Sequence, residues 1–273
     1  MPVRSPLPTD HRALPPLDPN FGTTLDAGLA DLGLEPPPGV RAAIEAQARL
    51  LLAWSGSVNL SAHRTPAGVA LEHVVDSLSA LPLLAGTASL LDLGSGAGYP
   101  GLPLALALPV ERAALVDSIG KKARFLEAAS AAALVELRET AQPSQGGHKT
   151  PDIAALNVRA ESLAHDPAHR EAWGAVTARA VASMAELVEL ALPLLRLGGR
   201  LVAWKRDDGA GSLERELVAA GPALRACGGA APEIHRVAAR GLEDHRLVVV
   251  TKQRATPREL PRPAAERRRA LVR

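Results

Sequence analysis

Apolar positions follow two regimes along the chain. Up to residue 81 they recur at helical spacing, in 23–34, in 39–54 (Val40, Ile44, Ala48, Leu51, Leu52) and in 66–81 (Val69, Leu71, Val74, Val75, Leu78). Pro66 suits a first helical turn and Pro82 a stop. From residue 88 short apolar runs replace the stripes. SLLDLG (89–94) and ALVDS (114–118) read as buried strands, with a glycine- and proline-punctuated loop and a short helix between them. A helix at 120–137, strands at 153–158 and 175–179, a helix at 183–196 and a strand at 200–205 follow. This alternation predicts βαβ units on a mostly parallel sheet. After a helix near 212–226, PEIHRVAA (232–239) and RLVVVTK (246–252) flank a glycine-containing turn and predict an antiparallel hairpin at the sheet edge.

The same pattern divides the chain. Residues 1–21 are a proline-rich leader expected to be disordered, 22–86 a helical cap, 87–252 the α/β domain and 253–273 a basic tail. Residues 139–151 (ETAQPSQGGHKTP) read as a surface loop. With 47% hydrophobic and 22% charged residues the chain can bury a core and is not disordered as a whole. No run of about 18 apolar residues is free of charge and proline, so no membrane span is expected. The first twenty residues lack the apolar stretch of a secretory signal. Cys227 is the only cysteine, which excludes an intramolecular disulfide and a multi-cysteine zinc site and fits a reducing cytoplasm. Six aromatic residues argue against a platform that stacks single-stranded bases. The formal charge of +2 hides an asymmetry: Lys252 to Arg273 holds eight basic and two acidic residues, leaving 23 basic and 27 acidic before it. A basic end on an acidic body raises the prospect of a nucleic-acid partner.

LLDLGSGAGYPG is the most informative segment. Asp92 ends a buried strand, and Gly94, Gly96 and Gly98 follow at alternate positions before a helix. Such glycines allow a tight turn and close approach of backbone to ligand, while the helix start offers free N–H groups. A dinucleotide G-x-G-x-x-G begun at Gly94 would need glycine at position 99, which is Tyr99, and the Gly-Lys-Ser/Thr of a P-loop is absent. Asp117, at the end of the second strand, is placed to take two ribose hydroxyls on its carboxylate.

Eight segments recur together: SVNLSA (57–62), HVVDS (73–77), LDLGSGAGYPGLPLA (91–105), LVDSIGKKARFL (115–126), VRAES (158–162), VTARAVA (176–182), GGRLVAWK (198–205) and RLVVVTK with a later LPR (246–252, 260–262). In this order they resemble the bacterial small-subunit ribosomal RNA guanine-N7 methyltransferases, the RsmG or GidB family, over about residues 22–262. The resemblance implies a Rossmann-like class I methyltransferase sheet with an N-terminal helical cap, S-adenosyl-L-methionine as cofactor, and 16S rRNA or the small ribosomal subunit as partner. It also implies a cytoplasmic, monomeric enzyme. Residue by residue it implies Gly94, Ser95, Gly96, Gly98, Tyr99 and Asp117 beside the cofactor, with Ala160 and Glu161 flanking its adenine. Arg179 falls at the catalytic face and also beside the cofactor, and Lys205 and Lys121 complete the implied catalytic set. Asn59, His73 and Asp76 lie in segments typical of the family. Arg206 stands where the family has glycine, and the family's closing proline- and glycine-rich motif is eroded to PRPAAERRRALVR.

Several absences fit that chemistry. Guanine N7 carries a lone pair and no proton, so attack on a sulfonium methyl needs alignment rather than a base. Cys227 has no preceding proline to mark a C5-methylation nucleophile. No Asp/Asn-Pro-Pro-aromatic segment follows the fourth strand, where the sequence reads ARAVAS. Rival readings are a nicotinamide oxidoreductase, a non-catalytic RNA-binding assembly factor, and a methyltransferase of another RNA.

Overall fold

The computed structural model describes residues 7–37, 39–140 and 150–270, with 268–270 as backbone alone. The leader segment 1–6, most of the expected loop (141–149) and the last three residues lie outside the described residues.

The N-terminal part is helical: α1 (Pro19–Leu32), α2 (Val40–Trp54), and a third helix that changes pitch along its length. That helix begins as α3 (Pro66–Val69), passes through a π-helical stretch at Ala70–Val75 and ends as α4 (Asp76–Leu78). Local chemistry sets the ends. The Asp18 carboxylate accepts from the Asn20 N–H at 2.8 Å, Pro19 fits the first turn, and Gly33 closes α1 at φ 63°. Thr65 caps α3, with Pro66 behind it.

The leader departs from the expectation of disorder. From residue 7 it packs along the body, with a 3-10 turn at His11–Ala13. Leu7, Leu14 and Leu17 rest on the core, Trp54 Nε1 donates to the Pro8 carbonyl at 2.6 Å, and Arg12 donates to Glu136 at 2.7 Å. Prolines here limit backbone freedom without preventing burial, so composition alone misjudged the segment.

The sheet has seven strands: β1 (Ser89–Leu93), β2 (Arg112–Val116), β3 (Asp152–Leu156), β4 (Trp173–Arg179), β5 (Leu195–Arg206), β6 (Glu233–Arg236) and β7 (His245–Thr251). Their order is β3-β2-β1-β4-β5-β7-β6. The first five run parallel, and β7 enters antiparallel between β5 and β6. The expected edge hairpin is thus present. Helices α5 (Gly101–Ala107), α6 (Gly120–Thr140), α7 (Ala160–His165), α8 (Met184–Ala191) and α9 (Ser212–Cys227) connect the strands, and α10 (Ala264–Ala270) ends the described chain.

Adjacent strand residues feed opposite cores. Leu90, Ala113, Val202 and Trp204 pack with the N-terminal helices, α5 and α6, whereas Leu91, Ala114, Leu201 and Ala203 pack with α8 and α9. The helical cap therefore shares one core with a face of the sheet. Residues Pro66–Leu84 are long and apolar enough to cross a membrane by length and composition only; they contain Glu72, Asp76 and Pro82, and 56% of the 18-residue window is buried inside the molecule.

Candidate active site

Strand order reverses between β2 and β4 around β1, and the crevice outside the strand ends opens there. The loop after β1 fills one side. Gly94, Gly96 and Gly98 have φ of 67°, 55° and 84°, the left-handed region that glycine occupies without strain. A Cβ on Gly94 would lie 2.7 Å from the Val181 side chain, whereas one on Gly96 would find nothing closer than 3.8 Å. Gly101, not singled out from the sequence, does a different job: a Cβ there would sit 2.5 Å from the Asp92 Cβ, so glycine lets α5 lie against β1.

Asp117 faces this loop from the end of β2. Its Oδ2 accepts from the Gly96 N–H at 3.1 Å and Oδ1 from the Ile119 N–H at 2.8 Å. Each oxygen keeps a further lone pair toward a crevice of about 260 Å³, lined also by Gly94, Ser118, Ala160 and Glu161. Such a cradle fits an adenosine-type cofactor: open space beside the Gly96 Cα, a carboxylate for paired hydroxyls, and an apolar wall from Val158 and Val181. Ser95 is buried in the loop and does not line the crevice; its hydroxyl donates to the Asp92 carbonyl at 2.9 Å and accepts from the Val116 N–H at 3.1 Å. Asp92 is fully buried beneath the loop; burial pushes its carboxyl up to about 6, although Thr177 donates to it at 2.7 Å.

A second cavity, about 350 Å³, lies between the cap and the sheet. Arg179, at the end of β4, spans the gap. Its Nη1 donates to the Glu72 carbonyl at 2.9 Å and to Asp76 Oδ2 at 3.2 Å, and its Nη2 to His73 Nδ1 at 2.9 Å. The π-helical stretch aims Glu72 and His73 at this guanidinium, and such local widening of a helix is frequent at functional sites. His73 bonds to Arg179 and to the cap residue Ser61 rather than to Asp76, three positions on in the same helix. Its other nitrogen lies 2.5 Å from Ser61 Oγ, and its ring stacks on Tyr99 at 4.8 Å. Burial first, then the Arg179 charge, depress the imidazole to about 3, leaving it neutral and a poor proton acceptor. Asp76 also accepts from His245 Nδ1 at 2.8 Å. Trp204 and Lys205 line the cavity, with Lys205 Nζ donating to Glu216 at 2.7 Å and the Ala182 carbonyl at 3.0 Å.

The two cavities flank one segment. Arg179 and Ala180 face the second, Val181 and Ala182 the first. Ala180 has φ 55°, a left-handed conformation uncommon for a residue with a Cβ. Strain of this kind persists where surrounding structure imposes it and concentrates at functional sites.

The expected residues divide accordingly. Gly94, Asp117, Ala160 and Glu161 line the first cavity, Arg179 and Lys205 the second, and Tyr99 is buried between His73 and Arg179. Lys121 stands apart: it is exposed on α6 and lines a separate depression with Trp54 and Arg124. Its neighbour Lys122 is the one whose Nζ approaches Gly96. Sequence reasoning did not single out Arg159, Glu186 or Arg267, all of which line the first cavity. Cys227 is buried, and burial pushes its thiol up to about 12, as befits a core residue. No cluster of three or more His, Cys, Asp or Glu suited to a metal occurs among the described residues.

The tail corrects a further expectation. Arg262 pairs with Glu189 at 2.6 Å, Arg267 with Glu161 and Glu186, and Lys252 donates to Glu171 at 2.9 Å. Arg254 donates to the Arg225 carbonyl at 3.0 Å. Lys252 and Arg267 are buried with these partners, while Arg254 and Arg262 are held by theirs at the surface.

Five parallel strands, one antiparallel insertion, and a glycine loop opposite an acidic strand end define a class I methyltransferase fold. Its relatives agree. The family described as rRNA small subunit methyltransferase G (GidB) matches residues 41–235. The Ribosomal RNA small subunit methyltransferase G of Roseiflexus sp. (strain RS-1) is 40% identical over 213 residues, 78% of this chain and 83% of that one. Those of Dehalococcoides mccartyi (strain BAV1) and Symbiobacterium thermophilum are each 35% identical, the first over 87% of this chain and 94% of its own, the second over 88% and 93%. The chain belongs to the rRNA small subunit methyltransferase G family.

Proposed function

We propose that this enzyme transfers a methyl group from S-adenosyl-L-methionine to N7 of a guanine in 16S rRNA, in the loop near the decoding site. The observation that carries the reading is the pair of cavities on either side of residues 179–182, one built like a nucleoside cradle and the other floored by Trp204 beside cationic groups. The bound cofactor supplies an electrophilic sulfonium methyl. Everything else falls to the chain. Gly94, Gly96 and Asp117 hold the adenosyl half, and Ala160 and Glu161 border the base. Arg179 is fixed by three partners, so its exposed edge presents a preset positive charge to an incoming base or phosphate. Lys205 adds a second charge at the rim.

No general base is required, because guanine N7 has no proton to lose. His73 agrees with this, since its nitrogens face Arg179 and Ser61 and its proton affinity is low. In this reading the second cavity, about 350 Å³, receives a guanine turned out of its stack. Electrostatic attraction between exposed cations and phosphates makes RNA affinity fall with salt. The enzyme acts in this reading as a cytoplasmic monomer on rRNA or the small subunit, without a membrane. Mass mapping of 16S rRNA from cells lacking the chain should show one N7-methylguanosine missing, restored by the wild-type chain. An unchanged methylation pattern would overturn the proposal.

A further inference from the structure

The C-terminal helix places Arg267 inside the crevice assigned above to the cofactor. Arg267 is 3% exposed and lines the same cavity as Gly94, Asp117 and Ala160. Its Nη2 donates to the Glu161 carboxylate and lies 3.3 Å from Glu186 Oε1, while Nη1 donates to the Arg262 carbonyl at 2.6 Å. Arg262 is itself anchored: its N–H and guanidinium both donate at 2.6 Å to Glu189, a buried carboxylate of α8. The chain is thus pinned at Arg262 and then laid across the crevice mouth as α10.

Burying a guanidinium is costly unless it is paired and in a useful place. Here both acidic partners, Glu161 on α7 and Glu186 on α8, border the crevice. For Glu161, burial pushes the carboxyl up, but the Arg267 hydrogen bond and charge, a backbone hydrogen bond and the Arg159 charge together hold the group below its ordinary range. The crevice remains about 260 Å³ with the helix in place, so α10 forms a wall rather than a plug. A planar guanidinium held edge-on by carboxylates leaves its face for an aromatic ring, which an ammonium cannot match.

We propose that Arg267 is a cofactor-binding residue: α10 straps the crevice shut so that its guanidinium packs on the adenosine half of the ligand, a role that rests on reading this crevice as the cofactor site. The test is equilibrium binding of two probes, S-adenosylmethionine and S-adenosylhomocysteine, to the full chain, to Arg267→Ala, to Arg267→Lys and to a chain ending at Pro263. Thermal unfolding without ligand checks that each variant is folded. Arg267→Ala and the truncation should weaken both probes by about tenfold and by similar factors, because the contact is to the half they share. Arg267→Lys should stay weak, and amide exchange within α10 should slow when either probe binds the wild type. Equal or tighter binding by the folded variants would overturn the strap, as would a loss confined to one probe. Failure of the wild type to bind either probe would instead overturn the reading of the crevice itself.

Discussion

Asp117 turns Oδ2 to the Gly96 N–H of a glycine loop that carries no charge of its own and Oδ1 to the Ile119 N–H, and so brings a negative charge to the cradle. Asp117→Asn keeps the shape and one acceptor but removes the charge. A hydrogen bond to a charged group contributes about 1.5–3 kcal/mol, so cofactor affinity should drop by about tenfold or more in calorimetric titration. His73 yields a stability prediction. Its folded value, about 3 against an ordinary 6.5, means that the neutral imidazole stabilises the native state above the unfolded value. That stability is lost as pH falls from about 6.5 toward 3. Asp92, raised from 3.8 to about 6, works in the opposite sense between those values, so the His73 contribution needs a variant to isolate it. Denaturant unfolding at pH 7 and pH 5 should show wild type losing more stability than His73→Gln. The difference should approach at most about 1.4 kcal/mol per pH unit, and parallel losses would count against a buried neutral His73. At this scale the position of Asp117 at the strand end beside the glycine loop was legible, because a strand-end acid beside such a loop is a local pattern. The sequence did not fix Ser61 and Arg179 as the partners of His73, because the partner of a helix side chain is chosen by what packs above it.

Among the elements, α5 shows how a helix is fitted to a strand. Gly101→Ala would drive a Cβ to 2.5 Å from the Asp92 Cβ, which is fixed to the β1 backbone, and 2.6 Å from Leu115 Cδ2. Overpacking of this kind costs about 1–3 kcal/mol. Thermal unfolding should therefore register a lowered midpoint, and cofactor affinity should fall with it as Gly94 to Gly98 shift. A variant as stable as wild type would contradict the close α5–β1 contact. The strand–helix alternation was legible from residue 88 onward, since buried parallel strands read as continuous apolar runs. The change to π pitch at 70–75 was not: its apolar spacing looks helical, and the widening shows itself only where Glu72 and His73 meet Arg179.

For the molecule as a whole, the leader joins three regions, touching α2 through Trp54, α6 through Glu136 and Glu139, and the core through three leucines. Removing residues 1–18 exposes that apolar surface and should destabilise by on the order of 2 kcal/mol. The midpoint should fall by roughly 2–4 °C per kcal/mol in calorimetry, and an unchanged midpoint would mean that the docked leader contributes nothing. The charge asymmetry also reads differently at this scale. Four of the basic residues between Lys252 and Arg267 are held by internal partners, so an excess that looked ready for phosphate instead fastens the C-terminal segment to α8 and the crevice. By itself the sequence determined the sheet, the glycine loop and the acid opposite it, because backbone freedom and apolar period are set by neighbours a few residues apart. Only tertiary structure decided that Arg179 meets Glu72 across 107 residues and Arg267 meets Glu161 across 106. Contacts of that span carry no local signature, and burial selects them only after the layers have packed.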